Sequence, residues 1–201
     1  MRIPPTLSLI LASKSPRRSQ LLEQAGIPFT IRTAETEEVY PPDTPVAEVA
    51  PYLARLKARG AAHLLQSDHE VLLTADSVVI VDDEIFGKPR DRAHAIATIG
   101  RLSGRTHTVI TGCCLKSFTH EEVFCGVAQV QMNRIEPAEI EWYVDTYRPY
   151  DKAGAYAIQE WIGLAKIARI EGTYPTVMGL PVDLVYERLV TVAGQSVVGK
   201  S

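Results

Sequence analysis

Leu9-Ile10-Leu11-Ala12-Ser13-Lys14-Ser15-Pro16-Arg17-Arg18 decides the fold class of this 201-residue chain. The apolar run predicts a strand over Leu7–Ala12 buried on both faces, and a short polar loop then meets a proline. Proline suits the first helical position, where its missing N–H would have no partner anyway. Ser15 is expected to be the N-cap of a helix over Arg17–Ala25 that buries Leu21, Leu22 and Ala25 and ends at Gly26. A buried strand leading directly into a helix points to an α/β sheet. The same junction is an anion site. A helix N-terminus exposes unpaired N–H groups and the positive end of the dipole. Arg17 and Arg18 add planar cations that match phosphate oxygens. With no ligand in view, the same residues also read as a helix cap followed by two solvated arginines.

Outward from this junction, Phe29–Thr33 reads as a strand, followed by an acidic loop with Glu35, Glu37 and Glu38. A helix is expected from Val46 to Ala62, kinked or restarted at Pro51, with Lys57 at the edge of its apolar stripe. From there a lysine can lie over core surface and put its ammonium into a neighbouring cleft. Val71–Val81 is the strongest strand, interrupted by one charge, Asp76, and ended by Asp82-Asp83 before a short strand over Glu84–Phe86. Asp91 caps a helix over Ala93–Leu102, and Thr106–Leu115 and Val123–Met132 are paired strands. Pro137–Val144 reads as a helix, Asp151–Gln159 as a loop, and Ile162–Ile170 and Val177–Met178 as strands. Pro181–Val190 is the last expected helix, with a frayed tail after Ala193. No repeat or linker divides the chain. One α/β domain over residues 1–193 is expected, with a mixed twisted sheet flanked by helices and a tail over 194–201.

Composition narrows the function. Hydrophobic residues make up 46% and charged residues 22%, as in soluble globular proteins. A net charge of -3 disfavours a protein that grips nucleic-acid backbone, so no nucleic-acid partner is expected. Cys113, Cys114 and Cys125 have neither disulfide-framework nor zinc spacing, which suits a reducing cytoplasm. The five histidines show no metal-binding spacing. No targeting segment or membrane-length apolar run is expected, hence no membrane partner.

Asp76 is the sharpest single residue. A carboxylate inside so apolar a strand costs several kcal/mol unless it is paired or binds a metal. A strand end or a buried ion pair would also account for it. Glu37 and Glu38 lie in a loop, where solvation is the ordinary state, yet with Asp76 they could supply oxygen ligands for Mg²⁺ or Mn²⁺. Lys88, just before the Asp91 cap, is another anion-prone position.

Together these residues resemble the Maf family of nucleoside triphosphate pyrophosphatases. Ser13-Lys14-Ser15-Pro16-Arg17-Arg18 resembles that family's opening motif, Glu37-Glu38 its acidic pair, and Lys57 its helical lysine. Ala75-Asp76-Ser77, Gly87-Lys88-Pro89-Arg90-Asp91 and Ser103-Gly104-Arg105-Thr106-His107 are similar to its central motifs. Asp151-Lys152-Ala153-Gly154-Ala155-Tyr156-Ala157-Ile158-Gln159 and Met178-Gly179-Leu180-Pro181 resemble its closing ones, all in order between residues 9 and 190.

The resemblance implies a two-lobed α/β fold with a central nucleotide cleft, like that of inosine triphosphatases, and a homodimer. It implies hydrolysis of a nucleoside triphosphate between the α and β phosphates. Asp76, Glu37, Lys57 and Lys88 would be catalytic. Ser13, Ser15, Arg17, Arg18, Ser77 and Gln159 would bind substrate, with Glu37 and Asp76 on a divalent cation. Asp76 is also the candidate general base, and the sequence leaves its two roles unseparated. The family has a branch favouring dTTP and UTP and one favouring N7-methylated GTP. Arg90, Asp91 and Gln159 place this chain with the first, while Ser77 departs from the commoner threonine. Two other classes remain open: a nucleotidyltransferase, disfavoured by the lack of a glycine-rich loop, and a non-catalytic nucleotide-binding regulator.

Overall fold

The computed structural model describes residues 7–198. A seven-stranded mixed sheet forms its centre, with strands β1 (Ser8–Leu11), β2 (Thr30–Ile31), β3 (Glu70–Val81), β4 (Glu84–Phe86), β5 (Thr106–Lys116), β6 (Glu121–Met132) and β7 (Ile167–Glu171). Their spatial order is β2-β1-β3-β5-β6-β7, with β4 paired to β3. β1 runs parallel to β2 and to β3, and the remaining pairs are antiparallel. The helices are α1 (Pro16–Gln24), α2 (Val46–Gly60), α3 (Arg92–Leu102), α4 (Pro137–Tyr147), α5 (Trp161–Ala165), α6 (Tyr174–Met178) and α7 (Val182–Val198).

Strand alternation explains the layers. On one face of β3, Val71, Leu73 and Ala75 pack with Leu21 and Leu22 of α1 and Val185 and Leu189 of α7. Further along that face, Val79 and Val81 pack with Ile99 of α3 and Tyr143 of α4. These two clusters are the two lobes, and Ser77 lies at the division between them. The opposite face carries α2 along its length, with Val49 and Leu53 over Val78 and Ile80, and Ala54 and Ala58 over Leu72. Pro51 does not divide α2. The helix lies directly on Gly112 of β5, where an added Cβ would sit 2.4 Å from the Ala50 carbonyl carbon and the Pro51 nitrogen.

The sheet has a gap where the site forms. β1 pairs with Glu70–Leu73, and β4 pairs only from Val79 onward. Residues 74–78 of β3 therefore have β5 on one side and no strand on the other among the described residues. The β3–β4 turn uses Asp82 and Asp83 at φ 50° and 60°, the left-handed pair of a tight hairpin, and Arg105 holds Asp82 at 2.6 Å.

Several sequence expectations change. Ile162–Ala165 belongs to α5, so the last strand starts at Ile167. Val177–Met178 lies in α6, which Thr173 caps by accepting the Thr176 N–H at 3.3 Å. Short apolar runs carry no period long enough to separate strand from helix. β2 shrinks to two residues, Thr30–Ile31, and Ala25 is exposed just past the end of α1. The last helix outlasts Val190, because Val185, Leu189 and Val192 continue its buried stripe. The expected frayed tail 194–201 is helical as far as Val198, and residues 199–201 lie outside the described residues, as do residues 1–6. Among the described residues no helix is long and apolar enough to cross a membrane.

Candidate active site

The gap beside β3 opens into a cleft of about 780 Å³. Its first wall is the β1–α1 junction. Ser15 occupies the N-cap position in extended conformation, but its side chain makes no cap hydrogen bond. Ser13 organises the loop instead: its Oγ accepts the Ser15 N–H at 3.2 Å and Arg18 Nη1 at 3.1 Å. Arg18 Nε donates to the Gly179 carbonyl at 2.9 Å, which ties the arginine to the α6–α7 turn. Burial lowers the Arg18 pKa, opposed chiefly by the charge of Asp76. A guanidinium does not give up its proton inside a protein, so Arg18 stays a cation. Arg17 Nη1 reaches Asp151 Oδ2 at 3.2 Å across the cleft.

The floor is acidic. Asp76 is buried at 9% exposure, on the face of β3 that α2 covers. Lys57 of α2 meets it at 2.5 Å and Glu38 at 2.9 Å, so one ammonium bridges two carboxylates. The edge position of Lys57 thus has the consequence its spacing predicts. Lys88 approaches Glu38 at 3.8 Å from the other side. Burial raises the Glu38 pKa, but the Lys57 hydrogen bond and charge, with Lys88 and Arg18, outweigh it and hold the carboxyl below its ordinary value. Glu37 lines the same cleft, yet among the described residues it pairs with neither lysine. Of the two, Glu38 is the one that shares the Lys57 ammonium with Asp76.

The far wall comes from residues 151–159 and α6. Gln159 lines the cleft, and its Oε1 is buried with no hydrogen-bond partner among the described residues. Ser77 Oγ lies 2.8 Å from Thr111 Oγ1, and Thr111 donates its own proton to the Thr176 carbonyl at 2.9 Å. Ser77 is therefore the donor in their shared bond, and its oxygen keeps a lone pair for a ligand donor.

Among the described residues no group of three or more His, Cys, Asp or Glu side chains could hold a metal alone. The sequence residues nevertheless converge. Ser13, Ser15, Arg17, Arg18, Glu37, Lys57, Asp76, Ser77, Lys88 and Gln159 all line this one cleft. Arg90 and Asp91 do not line it: Asp91 caps α3 by accepting the His94 N–H at 2.8 Å.

Lys152 joins the set unforeseen. It is buried at 9% exposure, lines the cleft, and bonds Asp151 at 2.7 Å. Its motif was visible in the sequence, but its position between carboxylates was not. Thr111 gave no local signal at all.

His107 backs the cleft from behind Tyr156. It is 2% exposed, its Nε2 lies 2.7 Å from the Tyr156 hydroxyl, and burial lowers its pKa to about 4. The unfolded chain takes up this proton near 6.5, so between pH 6.5 and about 4 it binds more protons than the folded state. Stability should fall across that window as pH drops, by on the order of 3 kcal/mol from this group. Urea midpoints measured from pH 7 to 4 test this. A His107→Gln variant, which cannot take up the proton, should show a clearly shallower decline.

Comparison with known proteins follows the same lines. The family model described as "Maf-like protein" matches residues 8–192. A protein of Porphyromonas gingivalis named dTTP/UTP pyrophosphatase is 44% identical over 183 residues, covering 90% of this chain and 92% of its own. One of Flavobacterium psychrophilum with the same name is 42% identical over 179 residues, covering 89% and 91%. Among solved structures, the Staphylococcus aureus Ham1 protein matches at 14% identity and a TM-score of 0.46, covering 62% of this chain and 71% of that one. The family match spans nearly the whole described chain and the curated relatives match over about nine-tenths of both chains, so this chain belongs to the family of Maf-like proteins.

Proposed function

We propose that this protein hydrolyses nucleoside triphosphates, dTTP and UTP foremost, at the α–β phosphate bond, releasing the monophosphate and pyrophosphate. One observation carries the reading: Arg17, Arg18, Lys57 and Lys88 surround a cleft whose floor is the buried Asp76 carboxylate. Phosphoryl chemistry depends on positioning and charge neutralisation, and this set supplies both. The names of the curated relatives support the reaction and the substrate pair.

Asp76 and Glu38, with Glu37 beside them, fit a divalent cation such as Mg²⁺ or Mn²⁺. Two carboxylates that already share one ammonium can share a metal, and Mg²⁺ commonly takes one or two carboxylates plus substrate phosphates. Such an ion, when bound, supplies charge neutralisation at the phosphates under attack. The rest falls to the chain. Asp76 accepts the proton of the attacking water. The new oxygen–phosphorus bond forms at the α phosphorus as the bridging bond to the β phosphate breaks. The electron pair leaves with pyrophosphate, whose charge Arg17, Arg18 and Lys88 stabilise. Gln159 can both donate to and accept from the edge of uracil or thymine, and its open Oε1 is the acceptor for the base N–H.

The proposal includes a homodimer, checked by sedimentation, and a cytoplasmic location, which three unpaired thiols suit. The decisive experiment offers dTTP, UTP, CTP, GTP and N7-methyl-GTP with Mg²⁺ or Mn²⁺ and separates pyrophosphate from orthophosphate. Pyrophosphate chiefly from dTTP and UTP is expected. Pyrophosphate chiefly from the methylated purine would move the protein to the other branch. No product from any of them would leave a nucleotide-binding regulator.

A further inference from the structure

Gln159 sits in a four-residue turn. The Glu160 N–H donates to the Ala157 carbonyl at 3.1 Å, and Gln159 is the third residue of that turn. A glutamine amide reads a base edge only if its plane is held, and the Gln159 side-chain oxygen has no partner among the described residues to hold it. Something else must fix its backbone.

Tyr143 of α4 is placed to do so. It is fully buried, stacked on Tyr147 with ring centroids 4.8 Å apart. Its hydroxyl oxygen accepts the Ala157 N–H at 3.2 Å, and its proton goes to Glu160 Oε2. One hydroxyl therefore holds both ends of the turn. Burial, followed by the Glu160 carboxylate, pushes the Tyr143 pKa up, so the donor keeps its proton. The tether continues toward the phosphate wall. Glu160 Oε1 lies 3.5 Å from Lys152 Nζ, Lys152 bonds Asp151, and Asp151 meets Arg17. Lys152 and Arg17 together hold the Asp151 carboxyl below its ordinary pKa against the opposing effect of its burial, the largest single influence on it.

Resting on the pyrophosphatase reading above, we propose that Tyr143 is a positioning residue for base selection: its hydroxyl fixes the 157–160 turn and thereby the Gln159 amide, while Glu160 joins that turn to the phosphate-binding cations. Tyr143 does not touch substrate and acts through Gln159.

The test is a double-mutant cycle on discrimination. Tyr143→Phe keeps the ring and its stacking and removes only the hydroxyl. The kcat/KM ratio of UTP over CTP is expected to fall about tenfold, the effect of one well-placed hydrogen bond. In a Gln159→Ala background, Tyr143→Phe should change the ratio no further. Glu160→Gln, which keeps the shape of the turn and weakens its anchor, should shift the ratio in the same direction, and it carries the test if Tyr143→Phe does not fold. Equal losses on both nucleotides, or an undiminished Tyr143→Phe effect without Gln159, would overturn the inference while the wild type still makes pyrophosphate. A wild type that makes none would overturn the underlying reading, and the inference with it.

Discussion

Asp76→Asn should cut pyrophosphate release from dTTP by about 1,000-fold or more, since general acid–base catalysis alone contributes about 10²–10⁴. The substitution keeps the shape of the side chain and removes its charge. The counter-charge of Lys57 is lost, and under the proposed mechanism the proton acceptor and one carboxylate of the cation pair are lost with it. The fold should survive. Asp76 lies on the β3 segment whose second edge no strand covers among the described residues, and the substitution leaves the β3–β5 backbone pairing on its first edge intact. Stopped-time assays with product separation measure the loss, and thermal unfolding of the same preparation separates it from misfolding. A variant retaining more than about a tenth of wild-type turnover would show that another group takes the proton, because a factor of ten is only about 1.4 kcal/mol of barrier.

Gly112→Ala should damage both stability and activity with a single methyl group. The new Cβ would meet backbone atoms of Ala50 and Pro51 at 2.4–2.5 Å, and backbone cannot swing aside as a side-chain tip can. Overpacking usually costs about 1–3 kcal/mol, and a backbone obstacle places this site at or above the top of that range. Activity should fall as well. Gly112 is the β5 partner of Asp76, and α2, pressed against it, carries Lys57. Moving that helix by about 1 Å to relieve the clash would displace the ammonium, and misplacements of that size can cost about 100-fold in rate. Gly100→Ala is the matched control. Gly100 lies inside α3 with nothing within 4 Å of the added Cβ, so alanine there should stabilise by roughly 0.5–1 kcal/mol. Denaturant midpoints for both variants should therefore move in opposite directions.

The β1–loop–α1 junction and the apolar β3 were legible because their patterns are long and their punctuation is local. Pro16, Gly26, Asp91 and the Asp82-Asp83 turn each act within a few residues of themselves. The acidic floor was legible because a charge inside an apolar strand needs a partner, and Lys57 is that partner. What escaped depends on distance or on loop geometry. Glu37 and Glu38 are equivalent in sequence, and only the path of the loop turns Glu38 to Lys57. Tyr143 reads as one more core aromatic of a helix until residues 157–160 are folded back against it. In the sequence Arg90 and Asp91 mark substrate choice, yet Asp91 acts as a helix cap outside the cleft.

β3, β5 and β6 each run for 11 or 12 residues and pass without interruption beneath both lobes. In mechanical terms the molecule is a stiff plate rather than a pair of jaws. Spreading the lobes would flex three hydrogen-bonded strands together, with α2 bracing them from behind like a rib. Domain-closure enzymes gate their substrates by swinging rigid bodies about a few hinge residues. No such pivot lies between these lobes, because the strands that would have to turn are the sheet itself. The loops at the cleft's rim, 12–15 and 34–38, are then the parts free to move over a frame that keeps its shape.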